Sequence, residues 1–508
     1  MNKLFLFFLF LIINCTLVID NCTSQWQSDV RLTNDPATSI TAYLNNSWCV
    51  KASGDTVHVT WSDNRNAQLN LEIYYKRSVD GGLTWGDDIR LTNNTGTSEC
   101  QSVLVSGPYV HVIWADYRDG NGEIYYKRSS NGGFSWGNDI RLTNDGNASQ
   151  HPSAAVSGSD IVVVWDDTRA GNYEIYFKRS TDNGTTWGMD TRLTNNTAIS
   201  DIPCISIWGS LVIAVWRDNR GANAIEHAYY KRSTDAGLTW GPDSRITSDI
   251  MTQWYPSVAI SGNDVHVVWE DYRVSGGQNG EIFYKHSADG GINWGNDKQL
   301  TSEAGASVRP SLSTSGSLSS PNVHIIWTDE RDGNKEIYYK CSTNNGTNWG
   351  GDIRLTSNSA SSYYPFISAA GPIVHVVWQD NRDGNLEIYY KRNPTGNPIS
   401  IRNISSEIPT GFALYQNYPN PFNPITKIKF EIPNNAVIAR SGATWQSLTV
   451  SLKIFDILGK EVATLVNEQL QPGTYEVTFD ASKYPSGIYF YQLRSGDFVE
   501  TKKLVLLK

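Results

Sequence analysis

The sequence predicts an all-β protein, a seven-bladed β-propeller followed by a small β-sandwich. The pattern W-x-D-x-R occurs seven times, from Trp61/Asp63/Arg65 to Trp378/Asp380/Arg382, at a spacing of about 51 to 58 residues. Each occurrence lies among four strand-like runs parted by Gly, Asn and Asp, as in "PSAAVSG", "DIVVVWDD", "YEIYFKRS" and "TTWGMDTRLT" of the third unit. Four short strands per unit, repeated radially, describe a propeller blade. Composition agrees: 18 Trp and 26 Tyr against 3 Met, with 42 Gly and 18% charged residues, favours short strands and tight turns over helices.

At the N-terminus, Lys3 and the apolar run Leu4 to Ile13 read as a secretory signal peptide over residues 1–24, with cleavage before Gln25. A lipoprotein cysteine at Cys15 is the alternative. The run is too short to span a bilayer, and no later stretch is long and apolar enough for a transmembrane helix.

The propeller is expected over residues 25–393. A lone "W…RLT" piece, Trp26 to Thr33, precedes any complete unit, while the last unit stops at Asn393 without one. The N-terminal strand should therefore complete the seventh blade and leave no open sheet edge. Runs such as "IVVVW" are apolar on both faces, as a strand between neighbouring blades requires.

The formal charge of −9 and pI near 5.5 leave no basic stripe for phosphates, which excludes a nucleic-acid partner. Beyond the leader, Cys49, Cys100, Cys204 and Cys341 fit neither a disulfide framework nor a zinc pattern. Buried free thiols are expected, with a Cys49–Cys100 bridge as the alternative; no metal or cofactor is implied. The repeated histidines His58, His111, His266, His324 and His375 fall inside second strands, where a core role is expected. The seven Asp–Arg pairs are expected to serve as ion pairs and turn bonds, because every blade uses them alike.

Between the third and fourth strands, six units carry S-x-D/N-x-G-x-x-W: Asp80 with Trp85, Asn131 with Trp136, Asp182 with Trp187, Asp235 with Trp240, Asp289 with Trp294, and Asn344 with Trp349. The carboxylate or amide can accept from turn N–H groups, the Gly takes a positive φ, and the Trp is expected to fold back and plug the blade. These turns resemble the Asp-box of sialidase-like (BNR repeat) propellers over about 370 residues. The resemblance implies a structural role for the boxes and a ligand face at the opposite end of the propeller. Known sialidases of the family have six blades, so a count of seven departs from them.

Specificity should reside where the repeats differ. The residues just before each innermost strand are Asn46-Ser47, Glu99-Cys100, Gln150-His151, Asp201-Ile202, Trp254-Tyr255, Val308-Arg309 and Tyr363-Tyr364. Blades five to seven would thus bring Trp254, Tyr255, Arg309, Tyr363 and Tyr364 to one side of the pore mouth, with Glu99 and Asp201 across it. Aromatic faces for sugar rings beside one Arg for a carboxylate make a glycan site. The blade-five insertion Val274 to Gly280 would add a wall. A sialidase would need three converging arginines, a Tyr–Glu nucleophile pair and an acid. The R-I-P signature that supplies the first arginine in that family is absent, and no catalytic residue can be assigned.

Residues 394–411 read as a Pro/Gly/Ser linker, and residues 412–508 as an immunoglobulin-like sandwich of roughly seven strands. Asn420-Pro421-Phe422-Asn423-Pro424, Asp456 with Gly459, Gly473 with Tyr475, Ser486-Gly487 with Tyr489, and Lys502-Lys503 closely resemble the C-terminal sorting domain of the type IX secretion system. That resemblance implies passage across both membranes with the secretion machinery as partner, ending at the cell surface or outside the cell. The expectation is a surface or secreted module that binds glycans or glycoproteins, leaning away from catalysis. The alternative is a sialidase-type exo-glycosidase; a purely adhesive role is the third reading.

Overall fold

The computed structural model describes residues 26–42, 48–66, 70–221, 225–247, 251–274, 276–317, 320–371, 373–394, 401–405, 409–433, 449–469, 473–481, 484–496 and 498–507. Residues 1–24, read above as a leader, and the Asn46-Ser47 tip lie outside them.

Seven antiparallel sheets succeed one another from Ser39 to Asn393; the first six run in sequence order from an innermost to a short outer strand, and the seventh takes its outer strand from the N-terminal side. Blade two is representative: Ser98–Ser106, Tyr109–Asp116, Glu123–Ser129 and Ile140–Arg141. Every described second strand is buried along nearly its whole length, which is why it is apolar on both faces. In blade one the innermost strand is split into Ser39–Ile40 and Val50–Ser53, both paired with Thr56–Asp63.

The expected closure is present. Val30 and Arg31 pair with Tyr390 and Tyr389, so the N-terminal strand completes blade seven. Asp29 receives Arg382 at 2.7 Å and Lys391 at 2.8 Å, the contacts that Asp139 supplies within blade two to Arg118 and Lys127.

The W-x-D-x-R frame is structural. In blade two, Trp114 Nε1 donates to Asp116 at 2.7 Å, while Arg118 grips the same carboxylate through Nε and Nη2 and reaches Asp139 through Nη1. The guanidinium lies over Tyr125, 4.3 Å from its centroid. The same geometry holds Arg65, Arg169, Arg220, Arg331 and Arg382. The histidines are core groups as expected: His111 Nδ1 meets Tyr126 Oη at 2.7 Å, and burial pushes its pKa down to about 3.

The six box turns clamp neighbouring blades. Asp80 accepts from the N–H groups of Leu83 and Thr84, both at 2.9 Å, and its hydrogen bonds, led by that from the Thr84 hydroxyl, hold its pKa down to about 2. Trp85 packs edge-on against Tyr390 of the preceding blade, with centroids 4.9 Å apart, and Trp136 does the same to Tyr75. The expected plug needs correction here. These box tryptophans are half-buried wedges between blades, and the fully buried indoles are those of the second strands, such as Trp61 and Trp114 at 0% exposure. Trp26, which belongs to no box, packs on Tyr339 in the same way and completes the circle.

Cys49, Cys100 and Cys204 are buried and in no disulfide, so the alternative Cys49–Cys100 bridge is not formed.

The C-terminal unit is a two-sheet sandwich. One sheet orders Ile401–Ser405, Gly473–Asp480, Ile425–Ile432 and Ala413–Leu414; the other orders Glu461–Gln469, Thr449–Phe455, Gly487–Ser495 and Phe498–Leu506. The sheets enclose a core that includes Ile428, Phe430, Leu452, Tyr491 and Leu504. One boundary moves: Ile401–Ser405, read as linker, is a strand paired with Gly473–Asp480. Phe422 of the N-P-F-N-P run is buried, and its backbone pairs with Val505 and Leu507. Asp456 closes the turn at Gly459 by accepting from the N–H groups of Leu458 and Lys460.

Candidate functional site

The variable residues before the innermost strands share one backbone device. Strand register shifts in six blades, between Glu99 and Ser102, Gln150 and Ser153, Asp201 and Cys204, Trp254 and Ser257, Val308 and Ser311, and Tyr363 and Phe366. At each bulge one non-glycine residue takes a left-handed conformation: Cys100, His151, Ile202, Tyr255, Arg309 and Tyr364, with φ between 47° and 58°. A bulge re-aims a side chain, and a non-glycine left-handed residue costs on the order of 1 kcal/mol or more, which the surrounding sheet must hold in place.

What holds it is a second variable ring, the middle residue of each W-x-D. Ala115, Asp166, Arg217, Glu270, Thr328 and Gln379 face Glu99, Gln150, Asp201, Trp254, Val308 and Tyr363 across the strand pair. Several also reach the next blade. Asp166 accepts from the N–H of Ile202 at 3.1 Å, Glu270 from Arg309 at 3.2 Å, Thr328 from Tyr364 at 3.2 Å, and Gln379 from Thr41 at 3.1 Å. Sequence reasoning missed this ring by treating W-x-D-x-R as constant and passing over its first x. The variation at that position was the available signal.

Trp254, Tyr255, Arg309, Tyr363 and Tyr364 line one cavity of about 280 Å³, together with Glu270, Tyr272, Glu330 and Lys335. The Arg309 guanidinium lies over the Tyr255 ring at 3.5 Å from its centroid and 5.0 Å from that of Tyr364. Trp254 packs edge-on to Tyr272, and its indole N–H donates to Glu226. Lys335 stands 5.8 Å over Tyr363. Glu270 is buried, which raises its pKa, although it accepts from the Tyr272 hydroxyl and the Arg309 N–H. Burial and the facing Glu270 also raise the pKa of Tyr272, so the phenol keeps its proton.

Glu99 and Asp201 do not line this cavity. Asp201 is held by Arg217 through two hydrogen bonds of 2.8 and 2.6 Å, and Arg217 also approaches Glu226. Glu99 belongs with His151 and Tyr117; burial raises its pKa against their opposing effect. His151 Nδ1 meets Asp166 at 2.8 Å. Burial opposes its charge, but Asp166, with Asp201 and Glu99 beyond it, outweighs burial and raises the imidazole pKa. The mouth thus has an aromatic wall of mixed charge from blades five to seven, where Arg309 and Lys335 stand beside Glu270 and Glu330, and an acidic wall carrying His151 and Arg217 from blades two to four. No described residue of the Val274 to Gly280 insertion lines the cavity, which corrects the expected extra wall. No group of three or more metal-ligating side chains occurs among the described residues.

Residues 416–507 match the secretion system C-terminal sorting domain. No curated protein sequence matches the chain. Among solved structures, polysaccharide lyase Uly1 aligns at a TM-score of 0.50 and 11% identity, covering 73% of this chain and 99% of that one. A Trypanosoma rangeli sialidase in complex with the inhibitor DANA aligns at 0.44 and 10% identity, covering 94% and 88%. An α-L-arabinofuranosidase from Fusarium graminearum aligns at 0.41 and 15% identity, covering 56% and 89%. The C-terminal residues are therefore a type IX sorting domain that directs export to the cell surface or the extracellular space, and the unit ahead of it is a seven-bladed propeller.

Proposed function

We propose that the protein is an exported glycan-binding module whose ligand site is the mouth cavity between blades five and seven, with carboxylate-bearing glycans as preferred ligands. The observation that carries this reading is Arg309, held over Tyr255 on a bulge and flanked by Trp254, Tyr363 and Tyr364. Aromatic faces accept the C–H faces of sugar rings, and a guanidinium offers paired donors to a carboxylate. The left-handed bulges fix these groups before a ligand arrives, which lowers the ordering cost of binding. In this reading residues 1–24 are the leader, the box turns are Asp-boxes with structural duty, and 412–508 are the export address.

One observation favours a second reading, glycosidase action of sialidase type. Tyr272 and Glu270 form a hydrogen-bonded pair in the same cavity. Binding ranks first because, among the described residues, Arg309 is the one arginine lining this cavity, where a sialidase-type site would bring three together. The test is incubation of the propeller, residues 25–394, with sialylated, uronate-bearing and neutral glycans. Free sugar is followed by mass spectrometry and affinity by calorimetry. Saturable binding without release supports the first reading; released terminal sugar replaces it with the second, and neither outcome leaves adhesion.

A further inference from the structure

A second chamber lies in the central channel, toward the end where the first strand of each blade turns into the second. Its volume is about 200 Å³, and it shares no lining residue with the mouth cavity. Equivalent positions of successive innermost strands supply its wall: Lys51, Leu104, Ala155, Ser206, Ala259 and Ser313. Five of the six are small or apolar, and the sixth is a lysine.

Lys51 is unlike every other lysine described in the propeller. Lys76, Lys127, Lys178, Lys231, Lys285, Lys335, Lys340 and Lys391 each pair with a carboxylate, and Lys298 donates to backbone carbonyls. Lys51 has no such partner among the described residues; its one contact of this kind is the Trp48 ring, 5.3 Å from Nζ to the centroid. The chamber lining contains no Asp or Glu, so no lining carboxylate can balance the ammonium. Its partial burial in the chamber pushes its pKa down.

We propose that this chamber is a binding site, separate from the mouth, for a short-chain carboxylate whose charged end rests on Lys51 Nζ and whose hydrocarbon lies along the apolar ring. Lys51 is only half-buried, so its ammonium keeps part of its hydration, but with no counter-charge in the chamber an anion within about 4 to 6 Å still offsets the part that is lost. The chamber holds about 200 Å³, less than the mouth cavity, which selects a compact ligand. Its one cation and apolar wall suit a carboxylate with an apolar body better than a strongly hydrated dianion. Among the lining residues only Ser206, Ser313 and Thr314 offer hydroxyl groups, too few to satisfy a sugar.

The test uses the full exported chain with its lysines reductively ¹³C-methylated, which keeps their charge. The Lys51 resonance is assigned by its loss in Lys51→Arg. Butyrate should shift that resonance saturably, and butanol at equal concentration should leave it in place. Calorimetry on unlabelled protein should show butyrate affinity reduced at least tenfold in Lys51→Met, with glycan binding at the mouth unchanged. An unmoved resonance overturns the proposal, as does an equal response to chloride or phosphate. Should Lys51→Met fail to fold, the resonance on the otherwise native chain decides alone.

Discussion

Arg392 of blade seven donates a hydrogen bond from Nη1 to the backbone carbonyl of Gly81 in blade one, at 2.6 Å and across 311 positions of chain. The same contact joins Arg77 to Gly132, Arg128 to Asn183 and Arg179 to Ala236, so ring closure repeats an ordinary contact between neighbouring blades. Closure therefore depends on the strand that completes blade seven. Deleting residues 25–33 should lower the thermal midpoint sharply, because it opens an edge of blade seven and strips Arg382 and Lys391 of Asp29. The milder Asp29→Asn should cost on the order of 1 kcal/mol, since the pair is partly solvent-screened. Urea melts of both variants check this; an unchanged deletion mutant would show that the ring closes without its first strand.

The box glycines separate strain from collision. Gly132 and Gly133 both have positive φ, 69° and 85°. A Cβ on Gly132 would meet nothing within 4 Å, whereas one on Gly133 would stand 1.9 Å from Tyr75 Oη. Gly132→Ala should cost about 1 kcal/mol of backbone strain. Gly133→Ala should cost roughly 1–3 kcal/mol more, as an overpacked contact does. Equal losses in urea melts would place Tyr75 away from the box turn.

Blade number, closure and the frame roles were legible because each rests on a pattern repeated seven times. The aromatic cluster was legible because the frame is constant and Trp254, Tyr255, Arg309, Tyr363 and Tyr364 are not. Three things were hidden. The left-handed bulges carry no glycine, so Cys100, His151 and Ile202 gave no turn signal. Asp166, Arg217 and Glu270 were screened by the constant residues on either side of them. The strand Ile401–Ser405 has its two apolar residues three apart and so lacks alternation, sits among Pro, Gly and Ser, and pairs with Gly473–Asp480, some seventy residues away.

The buried histidines make the propeller acid-sensitive. His111, His266 and His375 have pKa values of about 3 and His58 of about 4, all lowered by burial. The unfolded chain takes up their protons near pH 6.5 and the folded chain does not. Stability should therefore fall as pH drops from about 6.5 toward 4, by about 1.4 kcal/mol per pH unit for each such histidine. Carboxylates held low, such as Asp80, act in the same direction only below about pH 4. Urea melts at pH 7 and pH 5 should give a smaller difference for His111→Phe than for the native chain.

His151 should behave oppositely. Its pKa is raised in the folded state, so its contribution is fully present below about pH 6.5 and is lost as pH rises through the folded value. The stability gap between native protein and His151→Gln should be larger at pH 5.5 than at pH 8.5. A gap that grows with pH would mean that burial, and not Asp166, governs this imidazole.

Arg309 is the decisive residue for ligand choice. Arg309→Ala should weaken binding of a uronate-bearing or sialylated glycan at least tenfold and change that of a neutral glycan little, because the guanidinium acts on the carboxylate. Arg309→Lys should restore little, since an ammonium neither stacks on Tyr255 nor presents two parallel donors. Trp254→Ala with Tyr364→Ala should weaken acidic and neutral glycans alike, because ring stacking does not depend on charge. Calorimetry across the four proteins separates these effects. If Arg309→Ala weakens both glycan classes equally, the guanidinium serves only to hold Tyr255 and Tyr364 in place, and the preference for carboxylates must be dropped.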